Sequence, residues 1–128
     1  MYDIIVDKEK NRLTVSISGT IGKIEGEKIA REMVAAINQL KRGFDVINDI
    51  SRYETADKKS EDIFKSTIEF LKIRGVRNVV RVVGGSKAAL VKFADISKGV
   101  TNYQIRYVPT MDAAIQLLET EPQLSTQK

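Results

Sequence analysis

The spacing of hydrophobic and polar positions along the chain predicts nine secondary-structure elements. Short apolar runs or period-two alternation indicate β-strands at residues 2–7, 12–18, 44–50, 78–83 and 104–108. Apolar residues spaced three and four apart indicate amphipathic helices at residues 25–41, 60–74, 86–98 and 110–118. The predicted order is therefore β-β-α-β-α-β-α-β-α.

The first two strands differ from the others in how they connect. Leu13, Val15 and Ile17 alternate with polar residues, which is typical of an antiparallel strand with one face in water. A short polar turn joins this strand to the first, whereas a helix precedes each later strand and requires a right-handed crossover to a parallel neighbour. The sequence thus predicts an α/β fold with a five-stranded mixed sheet, an N-terminal antiparallel hairpin followed by parallel strands, flanked by about four helices.

The length of 128 residues suits a single domain. We assign residues 1–118 to that domain and expect residues 119–128, which lose apolar periodicity, to form a flexible C-terminal tail. No apolar run approaches the roughly 20 residues of a transmembrane helix, and the N-terminus has no signal-peptide pattern. We therefore expect a cytoplasmic protein.

Composition removes most catalytic chemistries. The chain has no Cys and no His, which excludes disulfides, thiolate nucleophiles, the usual zinc ligands and the commonest general base near neutral pH. We therefore predict a protein that is not an enzyme, with no catalytic residue, no metal site and no cofactor.

Charge is mild overall and uneven along the chain. The net charge is +4, but residues 72–98 contain seven basic residues against one acid, Asp95. The basic stretch suits either an acidic partner or ordinary solvated helix faces, and so small an excess argues against a nucleic-acid partner. Arg81 stands in the middle of an apolar strand, so it must reach the sheet edge or a partner group.

Three segments resemble the STAS-like superfamily, in particular its SpoIIAA-like branch of anti-sigma factor antagonists. They are LTVSISGTIG at 13–22, FDVINDIS at 44–51 with Asp49 in the family's acidic position, and RYVPTMDAAIQLL at 106–118. The resemblance implies a non-catalytic regulatory module that docks onto a protein partner through the loop after the third strand and the helix that follows. It also implies, in relatives with an Asp-Ser-Ser-Gly motif, a phosphorylated serine at that helix start, and in others a bound nucleotide or apolar ligand.

The corresponding loop gives candidates for docking or a phospho-switch. Here RYETADKKSED follows Ser51, without the Asp-Ser-Ser-Gly motif, and Ser60 is the nearest equivalent of the phosphorylated serine. Ser60 also suits the role of N-cap of the second helix, with Thr55 and Asp57 as rival caps. The candidate set for docking or phosphorylation is Asp49, Ser51, Thr55, Asp57 and Ser60.

A second candidate site follows the fourth strand. Gly84, Gly85, Ser86 and Lys87 open a helix, where free backbone N–H groups and the lysine suit a phosphate or carboxylate. The alternative is a plain Gly-Gly turn with Ser86 as the helix cap. Because ligands of open α/β sheets gather at the carboxyl ends of the strands, we expect this turn to lie near Asp49 and Ser51.

The second helix carries more apolar residues than one buried stripe needs. Phe64, Ile68, Phe70 and Leu71 are candidates for a homodimer or partner interface, and ordinary core packing is the alternative. The sequence thus favours a regulatory protein-interaction module acting on a protein partner or on itself. Its alternative is a domain that binds or senses a small anionic, nucleotide or lipid-like ligand, at the strand ends or in an apolar gap between the second and third helices.

Overall fold

The computed structural model describes residues 1–99 and 104–125. The strands are β1 (Tyr2–Asp7), β2 (Arg12–Ile21), β3 (Asp45–Ala56), β4 (Asn78–Val82) and β5 (Gln104–Val108). The helices are α1 (Lys23–Ile37), α2 (Lys58–Ile73), α3 (Lys87–Ser97) and α4 (Met111–Ser125). The predicted order of elements is confirmed.

The five strands form one sheet in the order β1-β2-β3-β4-β5. β1 pairs antiparallel with β2, and every later pair is parallel. The predicted fold class, a mixed α/β sheet opened by an antiparallel hairpin, is confirmed.

Alternating side chains of the central strands reach two separate apolar layers. Val46 and Val79 pack in the larger core with α1, α2 and α3. Their neighbours Ile47 and Val80 pack in a smaller core with Ala114 and other residues of α4. Three helices therefore cover one face of the sheet and α4 covers part of the other, as period-two alternation in buried parallel strands requires.

β3 is longer than the sequence predicts. It was expected to end at Ile50, but it continues to Ala56 beside the end of β2, with register shifts between Ser16 and Ser18 and between Gly19 and Thr20. Such shifts interrupt the strict alternation by which a strand is identified from sequence. Most of the predicted loop at 51–60 is therefore strand, and only the short turn at Asp57 joins β3 to α2.

Helix ends also differ from the predicted boundaries. α1 begins at Lys23 and ends at Ile37, four residues earlier than expected. α4 continues to Ser125, past the predicted domain boundary at Leu118 and into the segment expected to be a tail. Residues 126–128 of that predicted tail lie outside the described residues.

α1 and α2 approach each other closely at a glycine. Gly26 is buried in α1, and a Cβ atom built on it would lie 2.3 Å from Ser60 Oγ and 2.9 Å from Ser60 Cβ. Real Cβ atoms do not come that close to a neighbour, so this crossing requires glycine at position 26.

An ion pair between the buried Asp45 and the half-buried Arg77 ties the start of β3 to the start of β4. Asp45 is only 2% exposed, and its carboxylate accepts hydrogen bonds from Arg77 Nη2 at 2.6 Å and from Arg77 Nε and Asn78 Nδ2 at 3.2 Å each. The bond to Asp45 raises the pKa of Arg77. Because a buried carboxylate is costly without partners, these donors fix the register in which the two strands begin.

Candidate functional site

The carboxyl end of β4 lies beside Asp49 and Ser51, which stand within β3 because that strand continues to Ala56. Asp49 Oδ1 accepts hydrogen bonds from Ser51 Oγ at 2.7 Å and from Ser51 N at 3.1 Å. A Cβ built on Gly84 would lie 3.2 Å from Ser51 Cβ, which shows that the two residues are neighbours. Asp49, Ser51 and Arg52 also border a shallow concavity of about 300 Å³.

The turn after β4 has the geometry of a capped helix start. Gly84 adopts a positive φ of 57°, and Ser86 Oγ accepts a hydrogen bond from Ala89 N at 3.0 Å. Ser86 thus caps α3, while Gly85 and Lys87 are exposed. The serine oxygen satisfies one of the free N–H groups that were expected to hold an anion.

The start of α2 differs from the sequence-based expectation. Asp57, not Ser60, is the N-cap, and its carboxylate accepts a hydrogen bond from Ser60 N at 2.8 Å. Ser60 is completely buried, and its hydroxyl donates to Gly22 O at 2.9 Å. In this conformation Ser60 is inaccessible to a kinase or a docking partner, whereas Thr55 and Asp57 are exposed.

Replacing Asp57 with alanine is expected to lower the free energy of unfolding by about 1 kcal/mol, because the Ser60 N–H loses its capping acceptor. Urea unfolding followed by circular dichroism measures the change. The rival cap gives the control, since Thr55→Ala removes an exposed side chain that does not cap α2 and should change stability by less than about 0.5 kcal/mol. Equal losses in the two variants would contradict the assignment of Asp57 as the cap.

The predicted interface on α2 is mostly core. Phe64, Ile68 and Leu71 are buried on the side of α2 that faces the sheet, and Phe70 is half-buried. Of the two alternatives offered by the sequence, core packing therefore describes Phe64, Ile68 and Leu71, and Phe70 is the interface candidate that stays partly accessible. An apolar stripe has the same sequence pattern whether it faces a core or a partner, so the sequence did not distinguish the two.

A groove on the outer side of the helical layer was not predicted. It runs between α1 and α2, has a volume of about 470 Å³, and is lined by Ala30 and Val34 of α1 and by Ile63, Thr67 and Phe70 of α2. Val34 is 37% exposed. The sequence signal was present, because Ala30 and Val34 are four residues apart and outside the buried stripe of α1.

A small cavity lies against the sheet beneath α1, α2 and α3, and not between the second and third helices alone as predicted, since Ile29 and Met33 of α1 also line it. Its volume is about 40 Å³, and its walls include Phe64 of α2 and Phe93 of α3. Arg81 of β4 also lines it. The sequence singled out Arg81 as a charge in need of a partner, but it did not indicate the cavity beside it.

Polar contacts link α2 to α3 near this cavity. Lys92 Nζ lies 2.9 Å from Glu61 Oε2, and this bond raises the pKa of Lys92. Burial raises the pKa of Tyr53, with a smaller contribution from the Glu61 charge. The Tyr53 ring packs edge-on against Phe93 at 5.1 Å, so the extended part of β3 supports α3 rather than forming a free loop.

The described residues offer neither a cluster of metal-binding side chains nor a membrane-spanning helix. Within residues 1–99 and 104–125, no three acidic side chains lie close enough together to hold a metal ion. None of the helices in the same residues combines the length and apolar character needed to span a bilayer.

Comparison with known proteins identifies similar folds. No family model matches the sequence, and no curated protein matches it. Among solved structures, an uncharacterised DUF3478-family protein with a SpoIIAA-like fold from Shewanella loihica is similar at 12% identity, with a TM-score of 0.70 over 91% of this chain and 93% of that one.

Two named regulators also have this fold. The phosphorylated Bacillus cell fate determinant SpoIIAA is 14% identical, with a TM-score of 0.63 over 91% of this chain and 97% of that one. An anti-sigma factor antagonist from Mycobacterium paratuberculosis is 18% identical, with a TM-score of 0.59 over 93% of this chain and 95% of that one. The mixed sheet, its strand order and these similarities together establish that the chain has a SpoIIAA-like fold.

Proposed function

We propose that this chain is a non-catalytic regulatory domain that acts by binding another protein. The observation that carries the proposal is the groove between α1 and α2, whose lining combines apolar side chains with charged and hydroxyl groups. The structural similarity of the chain to anti-sigma factor antagonists, whose name describes action on a protein, supports a protein as the ligand.

The groove has apolar side chains on both of its sides. Ala30 and Val34 line one side of it, and Ile63 and Phe70 line the other. A groove between two helices with apolar residues spaced along it is a common docking site for an amphipathic helix.

The charged rim favours an amphipathic helix with both signs of charge over a purely apolar segment. Glu27 lies on the α1 side of the groove, and Lys59 and Asp62 lie on the α2 side. We propose that the docking surface extends to the amino end of α2, where Thr55, Asp57 and Lys59 are exposed. A helix of a partner protein is the proposed occupant, and a second copy of this chain is the competing one.

The proposal is tested by crosslinking followed by affinity measurement. A photoreactive amino acid at position 34 is expected to crosslink to an amphipathic helix of a partner protein. The same photoreactive amino acid at position 91 is not expected to crosslink to that partner. With that partner purified, Val34→Asp should raise the Kd more than tenfold, because it puts a charge into the apolar floor.

Val91→Asp is the matched control, because Val91 is 64% exposed on α3 and does not line the groove. It should change the Kd less than twofold. Position 34 could instead crosslink only to a second copy of the chain, and light scattering could show a dimer that Val34→Asp dissociates. That pair of results would replace the partner proposal with self-association. Absence of any crosslink at position 34, or equal effects of the two variants, would overturn the docking surface.

A further inference from the structure

A basic residue stands where the α2 side of the groove ends. Ile63, Thr67 and Phe70 line the groove along α2. Arg74 continues this row by one turn, because residues three and four apart share a helix face. Its guanidinium carbon lies 5.8 Å from the centre of the Phe70 ring, and its Nη1 donates to the side-chain oxygen of Asn38, the residue that caps the carboxyl end of α1. The bond between Arg74 and Asn38 thus joins the carboxyl ends of the two helices.

The groove continues along α1 toward the same end. A second concavity, of about 520 Å³, shares Ala30 and Val34 with the groove and reaches Asn38. The distance along α1 from Glu27 to Asn38 is about 16 Å, at the helical rise of roughly 1.5 Å per residue. A bound helix of about three turns therefore reaches from Glu27 to the bond between Asn38 and Arg74.

Three cations form the basic end of the groove, namely Lys41, Arg42 and Arg74. Arg42 Nη1 donates to Ile73 O at 3.4 Å, which places Arg42 next to Arg74, and Lys41 precedes Arg42 in the chain. Lys41 and Arg42 are exposed, and Arg74 is half-buried. Within residues 1–99 and 104–125, no carboxylate lies within ion-pair distance of any of the three.

The acids close to these cations in the chain do not balance them. Asp45 is buried and bonded to Arg77. Glu69 immediately precedes Phe70 in the helix, so it lies about 100° around α2 from the groove-lining row. Glu9 stands between two lysines in the neighbouring β1–β2 turn. The basic end of the groove therefore keeps a net positive charge.

The opposite end of the groove is balanced in charge. Glu27 and Asp62 line it together with Lys59, and Lys58 Nζ lies 3.1 Å from Asp62 Oδ1. Two carboxylates thus meet two ammonium groups there. Arg31, which lines the second concavity, adds a cation nearer the middle. Positive charge therefore increases along the groove toward the carboxyl ends of α1 and α2.

We propose that the partner helix bound in this groove carries acidic residues at the end that lies over Arg74, and that this charge sets the direction of the helix. Carboxylates accept charge-assisted hydrogen bonds from ammonium and guanidinium groups, and an arginine can bind both carboxylate oxygens at once. A helix with an apolar or basic end would instead remove water from the three cations without replacing it. The inference rests on the proposed function, because it requires the groove to bind a helix.

The test uses a display library of amphipathic helical peptides about 14 residues long, with a fixed apolar face and random residues at both ends. Peptides selected on the full-length chain should carry Asp or Glu at one end, and Val34→Asp should prevent their recovery. A photoreactive amino acid at the acidic end should crosslink to residues 38–42 or 70–74, and one at the other end should crosslink near Glu27. Added NaCl should weaken binding at least threefold, because salt screens attraction between exposed charges.

Variants of the basic end give a second measurement. Arg74→Glu should raise the Kd of an acidic-ended peptide at least tenfold in fluorescence anisotropy. The matched control is Lys72→Glu, which makes the same change of charge about 200° around α2 from Arg74 and should raise the Kd less than threefold. A peptide with lysines in place of its acids should bind Arg74→Glu more tightly than it binds the unaltered chain. The crosslinks and the salt dependence test the proposal in the unaltered protein even where Arg74→Glu does not fold.

The outcomes separate this inference from the proposed function. Selected peptides that need Val34 but show no acidic end, or equal effects of Arg74→Glu and Lys72→Glu, would overturn the inference and leave the groove as a docking site. Acidic peptides that are still recovered on Val34→Asp would show that the cations attract acids without the groove, which also overturns it. A library that yields no peptide dependent on Val34 would overturn the docking groove and the inference together.

Discussion

Replacing Arg77 with methionine is expected to lower the free energy of unfolding by about 3 kcal/mol. Methionine keeps an unbranched apolar side chain but removes both donors to the Asp45 carboxylate, which is 2% exposed. Asn78 Nδ2 alone would then remain as its side-chain donor. A buried carboxylate left with so little compensation is costly, and urea unfolding at neutral pH measures that cost directly.

Two further variants separate the buried pair from a generic loss of charge. Lys58→Met breaks an exposed pair in which Lys58 Nζ lies 3.1 Å from Asp62 Oδ1, and it should cost less than about 0.5 kcal/mol. Adding Asp45→Asn to Arg77→Met removes the stranded charge and should recover part of the loss. A cost for Arg77→Met no larger than for Lys58→Met would show that the Asp45 pair does not hold β3 and β4 in register.

Replacing Gly26 with alanine is expected to lower the free energy of unfolding by about 2 kcal/mol. Inside a helix alanine is intrinsically better than glycine by about 1 kcal/mol, so helix propensity alone predicts the opposite sign. The new Cβ would lie 2.3 Å from Ser60 Oγ and 3.3 Å from Ser60 Cα, which forces α1 and α2 apart. The sign of the change in the urea midpoint therefore distinguishes close helix packing from local propensity.

The control for this prediction is another glycine with open space around it. A Cβ on Gly85 meets no atom within 4 Å, so Gly85→Ala should change stability by less than about 0.5 kcal/mol. Combining Gly26→Ala with Ser60→Gly removes the atoms in conflict, and the double-mutant cycle should give a favourable coupling of at least about 1 kcal/mol. Stabilisation by Gly26→Ala alone would rule out the close crossing.

The fold was predictable where local patterns agreed with tertiary structure. The alternation of Leu13, Val15 and Ile17 and the apolar run at Val79–Val82 identified strands that are buried on the expected faces. The end of β3 was missed because the register shifts beside it break that alternation, and because Tyr53 is buried by Phe93, forty residues away. Contacts of that range leave no local trace in the sequence.

The candidate sites were also predictable only where local sequence patterns were sufficient. Asp49, Ser51 and Gly84 were predicted to meet because parallel strands end at one edge, and Ser51 lies against both of the others. The burial of Ser60 depends on Gly22 O, 38 positions earlier in the chain, so local reasoning assigned it a cap or a switch. Arg81 was correctly marked as needing a partner, but only the packing of α3 and β5 shows that carbonyl, hydroxyl and ring groups surround it.

The strand order has a consequence for how the molecule is made. Each strand pairs with the one that precedes it in the chain, and none is inserted between two earlier strands. A ribosome releases the amino end first, at about 5–20 residues per second. The hairpin of β1 and β2 can therefore form while the rest is still untranslated, and each new helix and strand adds to an edge that already exists. Assembly can keep pace with synthesis, with no need to reopen a finished part of the sheet.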